Sequence, residues 1–261
     1  GSGSSGSGSG GDDSVLITAS YDQTVRLWDV RARQSRDPIQ TLGEFKDSVT
    51  GVVASGWEVV TSCVDGCVRV HDLRTGQCHA DALNLGGAGG KVPLTSVALS
   101  HDKRCILTSA MTGIPSGVGM GDGGGCAVLL DRGSGTALQS YRGHTHSSYA
   151  LNSCFSHDDA YVVSGSEDGA VLVWGLVEGE VLQRLEHNGG DCFVPKAQDE
   201  NSGTATLPGS DGISTITKVV NRTKDSCSQK AVMGVAVHPR DSRIVSTSQD
   251  GTAIYWEGTY P

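Results

Sequence analysis

No stretch of this sequence approaches the ~18 consecutive apolar residues that a membrane-spanning helix needs, so no membrane association is expected. A basic segment followed by an apolar one is also missing, and no secretory signal is visible. Positive charge is in deficit. Against 29 Asp and Glu stand 20 Lys and Arg, a formal net charge of −9, which argues against direct nucleic-acid binding driven by phosphate neutralisation. Protein partners and RNA–protein assemblies stay open. Aromatic residues make up only 5% of the 261, but 37% hydrophobic content lifts the chain above the composition of a wholly disordered one. C-x-x-C pairs are absent. Cys63, Cys67, Cys78, Cys105, Cys126, Cys154, Cys192 and Cys227 scatter along the chain, so neither a zinc site nor a redox motif is supported. Free thiols packed as small hydrophobes in a reducing compartment are expected, although Cys63 and Cys67 flank one turn and can face each other. No metal, cofactor or small-molecule substrate is expected.

What the sequence does have is a repeated hairpin. In Ser164-Gly-Ser-Glu-Asp-Gly-Ala-Val-Leu-Val-Trp174 an apolar run ends at Asp168-Gly169 and a second run closes on tryptophan. Asp-Gly between alternating apolar runs is a strong hairpin signal, because both turn positions tolerate positive φ. Asp22 with Trp28, Asp65 with His71, and Asp250 with Trp256 repeat the six-residue spacing. The closing positions Trp28 and His71, and again Leu130 and Trp174, stand 43 and 44 residues apart. That matches the ~40–45-residue period of propeller blades, and the longer steps between the others hold two insertions.

The expected organisation is all-β. Residues 1–12 form a disordered Gly/Ser tract, and a partial propeller of about four and a half blades out of a presumed seven spans 13–258. The blades are read at 13–43, 48–83, 94–141, 148–186 and 231–258. A Gly-rich insertion loop falls at 112–125. A polar insertion at 187–230, expected to be disordered, has Lys218-Val-Val220 as its only apolar cluster.

These residues resemble WD40 repeats. The resemblance implies a structural tetrad linking a loop His, a Ser or Thr, the turn Asp and the Trp. Carried over here, it comprises His144 (in Gly143-His144), Ser164, Asp168 and Trp174. Thr18, Asp22 and Trp28 form a partial set, as do Thr61 with Asp65 and Ser246 with Asp250 and Trp256. Thr108 meets Leu130 in the Trp place, so no tetrad is expected there. Stretches such as Tyr141-Arg-Gly-His-Thr-His-Ser-Ser-Tyr-Ala-Leu-Asn152 are similar to the mitogen-activated protein kinase organizer (MORG) family of seven-bladed scaffolds, associated with kinase modules and spliceosomal complexes. On that resemblance the chain runs from the middle of blade three to blade seven and is truncated at its N-terminus. An open arc with two unpaired edges is then expected, with no outer strand available to the last blade.

His144, Asp168 and Ser164 also invite a catalytic reading. Ser164 lies inside a strand run with no Gly-x-Ser-x-Gly elbow, so a structural role is favoured and no enzyme activity is expected. Gly86-Gly-Ala-Gly-Gly-Lys91 fails the phosphate-loop pattern, since Leu85 and Val92 occupy required positions. Asn221-Arg-Thr223 matches a glycosylation sequon, read as coincidental without a secretory signal, and His238-Pro239 marks a turn. Tyr21, His146, Tyr149, Glu167 and Gln249 are candidates for an interaction surface on the face carrying the hairpin turns. The function expected is a non-enzymatic scaffold joining proteins, by resemblance in kinase signalling or pre-mRNA splicing, in cytoplasm and nucleus. The alternative is an adaptor for a peptide or phosphopeptide, with Arg26 and Arg69 at matching hairpin positions; a propeller enzyme ranks below both.

Overall fold

Alternating apolar residues, punctuated by Asp-Gly turns, fold into nineteen strands with no helix among the described residues. The computed structural model describes residues 14–32, 37–82, 92–111, 124–187, 216–219 and 230–257. The 1–12 tract, most of the 112–125 loop and most of the 187–230 stretch lie outside them.

The strands form five antiparallel sheets in chain order. The first holds β1 (Val15–Ala19), β2 (Val25–Asp29) and β3 (Gln40–Leu42). The second holds β4 (Val49–Ser55), β5 (Glu58–Cys63), β6 (Cys67–Asp72) and β7 (Gln77–Ala82). In the third are β8 (Leu94–Leu99), β9 (Cys105–Ala110), β10 (Cys126–Asp131) and β11 (Ala137–Tyr141); in the fourth, β12 (Ser153–Phe155), β13 (Tyr161–Gly165), β14 (Ala170–Gly175) and β15 (Val181–Glu186). The last sheet orders as β16-β19-β18-β17, from β16 (Ile216–Val219), β17 (Val232–Val237), β18 (Ile244–Ser248) and β19 (Ala253–Glu257).

The place of β16 corrects an expectation. The last sheet does have an outer strand, drawn from within the stretch read as a disordered insertion: Ile216 pairs with Glu257 and Val219 with Ile254. An exposed edge of β19 leaves a row of backbone donors and acceptors unpaired, and a short β-branched segment satisfies them.

The turns show why the hairpin repeats. Gly66, Gly169 and Gly251 have φ of 78°, 86° and 82°, and Gln23 takes the same conformation at 66°. The Asp before each does not adopt positive φ, so only one turn position requires it, not both. The Gly169 amide donates to the Ser166 carbonyl at 3.2 Å, which makes a type I turn closed by one left-handed residue. Each turn Asp then accepts the amide two residues on: Asp22 from Thr24, Asp65 from Cys67, Asp168 from Ala170 and Asp250 from Thr252, at 2.8–3.2 Å. This side-chain mimic of a backbone turn is the local reason for Asp.

Strand pleating divides the core. In β14, Ala170, Leu172 and Trp174 face one neighbouring sheet while Val171 and Val173 face the other. Four apolar clusters result, one between each successive pair of sheets. None of the four joins the first sheet to the last. Sheets meet closely where side chains are absent: a Cβ on Gly165 would lie 2.2 Å from the Val232 carbonyl oxygen of the next sheet. Asn152 stitches the same seam, donating to the Val235 carbonyl (2.8 Å) and accepting its amide (2.7 Å).

Candidate functional site

Two sets of residues carry the sequence expectations: a buried polar network within each sheet, and the exposed turn face. The expected tetrad does not form where the sequence reading put it. The Trp174 indole donates to the Arg142 carbonyl at 2.8 Å, not to Ser164. Ser164 donates to the carbonyls of Gly165 (3.1 Å) and Asn152 (3.4 Å). Asp168 pairs with Arg184 of β15 at 2.8 Å. His144 is buried edge-on to Trp174, ring centroids 5.4 Å apart, and neither of its nitrogens has a partner. Burial, with His146 nearby, pushes its pKa down to about 4. The short Gly143-His144 loop packs the imidazole against the indole ring, where it bonds neither Ser164 nor Asp168.

The complete network lies in the last sheet, around a histidine the sequence reading passed over. His187 Nδ1 is 2.8 Å from Ser246 Oγ, and its Nε2 is 2.8 Å from Thr252 Oγ1. The Trp256 indole donates to Ser246 at 2.7 Å, and the Thr252 hydroxyl donates to Asp250 at 2.5 Å. The histidine thus reaches the turn aspartate through a threonine. Ser246 and His187 are buried, and desolvation lowers the His187 pKa, disfavouring the charged ring. A satisfied buried network of this kind fixes one arrangement. The signal available beforehand was position: His187 directly follows the outer strand β15, as His144 follows β11.

The partial sets divide. Trp28 donates to Thr18 at 2.9 Å, while Asp22 turns to Thr24 and Arg26. Thr61 donates only to the Arg69 carbonyl at 3.4 Å. Asp65 makes a two-pronged pair with Arg69 (2.5 and 3.1 Å), both side chains about 5% exposed or less. Burial raises the Asp65 pKa, but the hydrogen bonds from Arg69 and Cys63 bring it down to about 2. Phe45 lies 5.3 Å from the Arg69 guanidinium. Arg69 is therefore not an exposed cation offered to a phosphate. Thr108 donates to the Ser96 carbonyl and Leu130 is buried in the Trp place, without a tetrad.

On the turn face, Tyr21 is 72% exposed and Tyr149 37%. Gln249 reaches across from the last sheet to the Tyr149 hydroxyl at 3.3 Å. His146, expected on the surface, is fully buried and 3.4 Å from Thr95, because its loop folds beneath the turn. Glu167 is committed to holding that loop: its carboxylate accepts the amides of Ser147, Ser148 and Tyr149 at 2.6–2.9 Å. Tyr149 is thereby presented on a braced backbone.

The six described cysteines carry free thiols. Among the described residues one group, Glu44, His71 and Cys78, brings three metal-ligating side chains together.

The sheets, the turn chemistry and the inter-sheet cores define an all-β WD40-type propeller fold. The WD40 family model (WD domain, G-beta repeat) matches residues 9–29, 135–175 and 218–257. The unmatched middle is where His71 and Leu130 replace the tryptophan. The WD40 β-propeller domain of Doa1 superposes with a TM-score of 0.60 at 14% identity, over 94% of this chain and 61% of that one, a likeness of fold alone.

Among sequences, the chain is similar to WD repeat domain-containing protein 83 and to other WD-repeat proteins. The rat protein is 37% identical over 149 residues, 57% of this chain and 41% of the relative. The Dictyostelium discoideum homolog is 28% identical over 202 residues, 67% and 56% respectively. Autophagy-related protein 16 of Arabidopsis thaliana is 30% identical over 173 residues, 66% of this chain and 30% of that protein. The chain thus spans about half the length, or less, of the curated relatives it matches.

Proposed function

We propose that the chain acts as a non-enzymatic scaffold, binding proteins through the face that carries the hairpin turns. The observation behind this reading is the pair Tyr149 and Gln249, joined across two sheets at 3.3 Å over a loop braced by Glu167. A tyrosine held on a rigid backbone offers large contact area at little entropic cost. Tyr21 extends the same face. The kinase-signalling and splicing roles, and residence in cytoplasm and nucleus, belong to this proposal through the likeness to the MORG family. Phosphopeptide recognition loses one of its two arginines to the Asp65 pair.

The test is affinity purification from cells of the full-length gene product, wild type against Tyr21→Ala/Tyr149→Ala. Recovery of kinase-module or spliceosomal proteins by the wild type, reduced in a variant that keeps its melting temperature, supports the reading. Equal recovery by both removes the turn face. Recovery of neither class removes the assignment by likeness.

A further inference from the structure

Glu44, His71 and Cys78 come from two sheets. Glu44 stands two residues past β3 of the first, and His71 and Cys78 are register partners on β6 and β7 of the second. Their ligand atoms all lie within 4.8 Å of one another. His71 Nε2 is 3.9 Å from Cys78 Sγ, close to the roughly 3.6 Å separating N and S ligands on a tetrahedral zinc ion. Three other hairpins place an indole where His71 stands. The smaller ring borders a cavity of about 210 Å³ lined also by Gln40, Leu42, Gly43, Glu44 and Leu73. Phe45 packs against the imidazole, centroids 5.4 Å apart, and sets its orientation. A nitrogen, a sulfur and an oxygen thus converge at a seam between two sheets, with His71 and Glu44 bordering the cavity.

We propose that Glu44, His71 and Cys78 form a zinc-class divalent metal site, with a fourth position opening to the cavity for water. Nitrogen, thiolate and carboxylate suit this ion, and three protein ligands leave one position exchangeable. Burial lowers the His71 pKa, which favours the neutral ring that a metal ion requires. Burial and the neighbouring Glu44 push the Cys78 thiol up to about 11, so binding exchanges the S–H proton to solvent as the S–metal bond forms. The same value argues against Cys78 as a free nucleophile. Glu44 is exposed, and a metal ion held by it together with His71 and Cys78 would tie the first sheet to the second. The sequence hides this site because its ligands are scattered, and only the β6–β7 register brings two of them together.

The test titrates cobalt(II) into the chelator-stripped whole chain. One equivalent is expected to give a thiolate-to-cobalt charge-transfer band with tetrahedral d–d absorption, displaced by zinc. Cys78→Ser should abolish the band, and the surface variant Glu44→Gln, which leaves the core untouched, should weaken binding at least tenfold. Absence of a one-equivalent band, or a band undiminished in Cys78→Ser, would overturn the site.

Discussion

Replacing Ser246 and Ser164 by alanine tests the position of the buried network, because each serine stands four residues before a turn aspartate. Both are fully buried, and the volume lost is the same. Their bonds differ. Ser246 accepts the Trp256 indole at 2.7 Å and bonds His187 at 2.8 Å, so Ser246→Ala strands the indole N–H and the His187 Nδ1, while Thr252 still bonds Nε2. Each orphan costs about 1–3 kcal/mol, and the pair about 2–4 kcal/mol after partial relaxation. Ser164 only donates, to two carbonyls at 3.1 and 3.4 Å, so Ser164→Ala costs about 1 kcal/mol and orphans no donor. Five sheets packed in series need not unfold as one unit, so the assay is native-state amide hydrogen exchange, sheet by sheet. Ser246→Ala should speed exchange in Ile244–Ser248 and Ala253–Glu257 by about 30-fold or more, since 1.4 kcal/mol is a factor of ten. Ser164→Ala should speed Tyr161–Gly165 by less than about tenfold. If Ser164→Ala equals or exceeds Ser246→Ala, the network belongs in the fourth sheet and the reasoning fails.

His144→Leu should be neutral or stabilising at pH 7, because it replaces a buried ring with two unpartnered nitrogens by an apolar group of similar size; a loss above about 1 kcal/mol in urea melts would refute this. It should also flatten the acid dependence. A histidine depressed to about 4 contributes nothing above its unfolded value of 6.5, and stability drains as pH falls from 6.5 to 4, by up to about 3 kcal/mol for His144. Asp168, Glu167 and His146 face the same ring, and His146 is depressed in the same direction, so the variant keeps a residual slope. Parallel wild-type and variant melts between pH 7 and 4 would exclude a His144 share. Arg69→Ala leaves the Asp65 carboxylate buried without its cation and should cost about 3–5 kcal/mol, whereas Arg26→Ala breaks an exposed, solvent-screened pair and should barely move the melting temperature. Equal melting temperatures for these two variants would show that Arg69 is not enclosed as described.

Much of the fold was legible because its signals are local. Asp two residues before the amide it accepts, glycine at the left-handed position and period-two alternation are each written within a single hairpin. The third strand of the first sheet and the inner strand of the second followed from the same patterns. What escaped depends on contacts between segments. His144 looked like the tetrad histidine because Gly precedes it, yet the relevant coordinate is distance from the outer strand and reach to the hydroxyl, which His187 satisfies without a glycine. Arg69 occupies an outward position of its strand, but Phe45 from the preceding loop covers it. His146 follows a surface-like Thr145 and still turns fully inward. In each case burial is decided by a neighbouring sheet, which one hairpin's pattern does not encode.

The hairpin aspartates carry this argument further. All four accept the amide two residues on, so the Asp-x5-Trp spacing encodes a turn before it encodes any network. Their second partners then diverge: Arg26 and Arg69 within the hairpin, Arg184 from the outer strand, Thr252 and through it His187. An aspartate satisfied by a local arginine does not need a histidine, and a histidine deprived of its aspartate is left unpartnered, as His144 is. The arginines and the network histidine are thus alternative ways of pairing the same turn carboxylate. A single change should then shift the fourth sheet from one arrangement toward the other. Arg184→Ala frees Asp168, beside which His144 already lies, and gives that imidazole a carboxylate to bond.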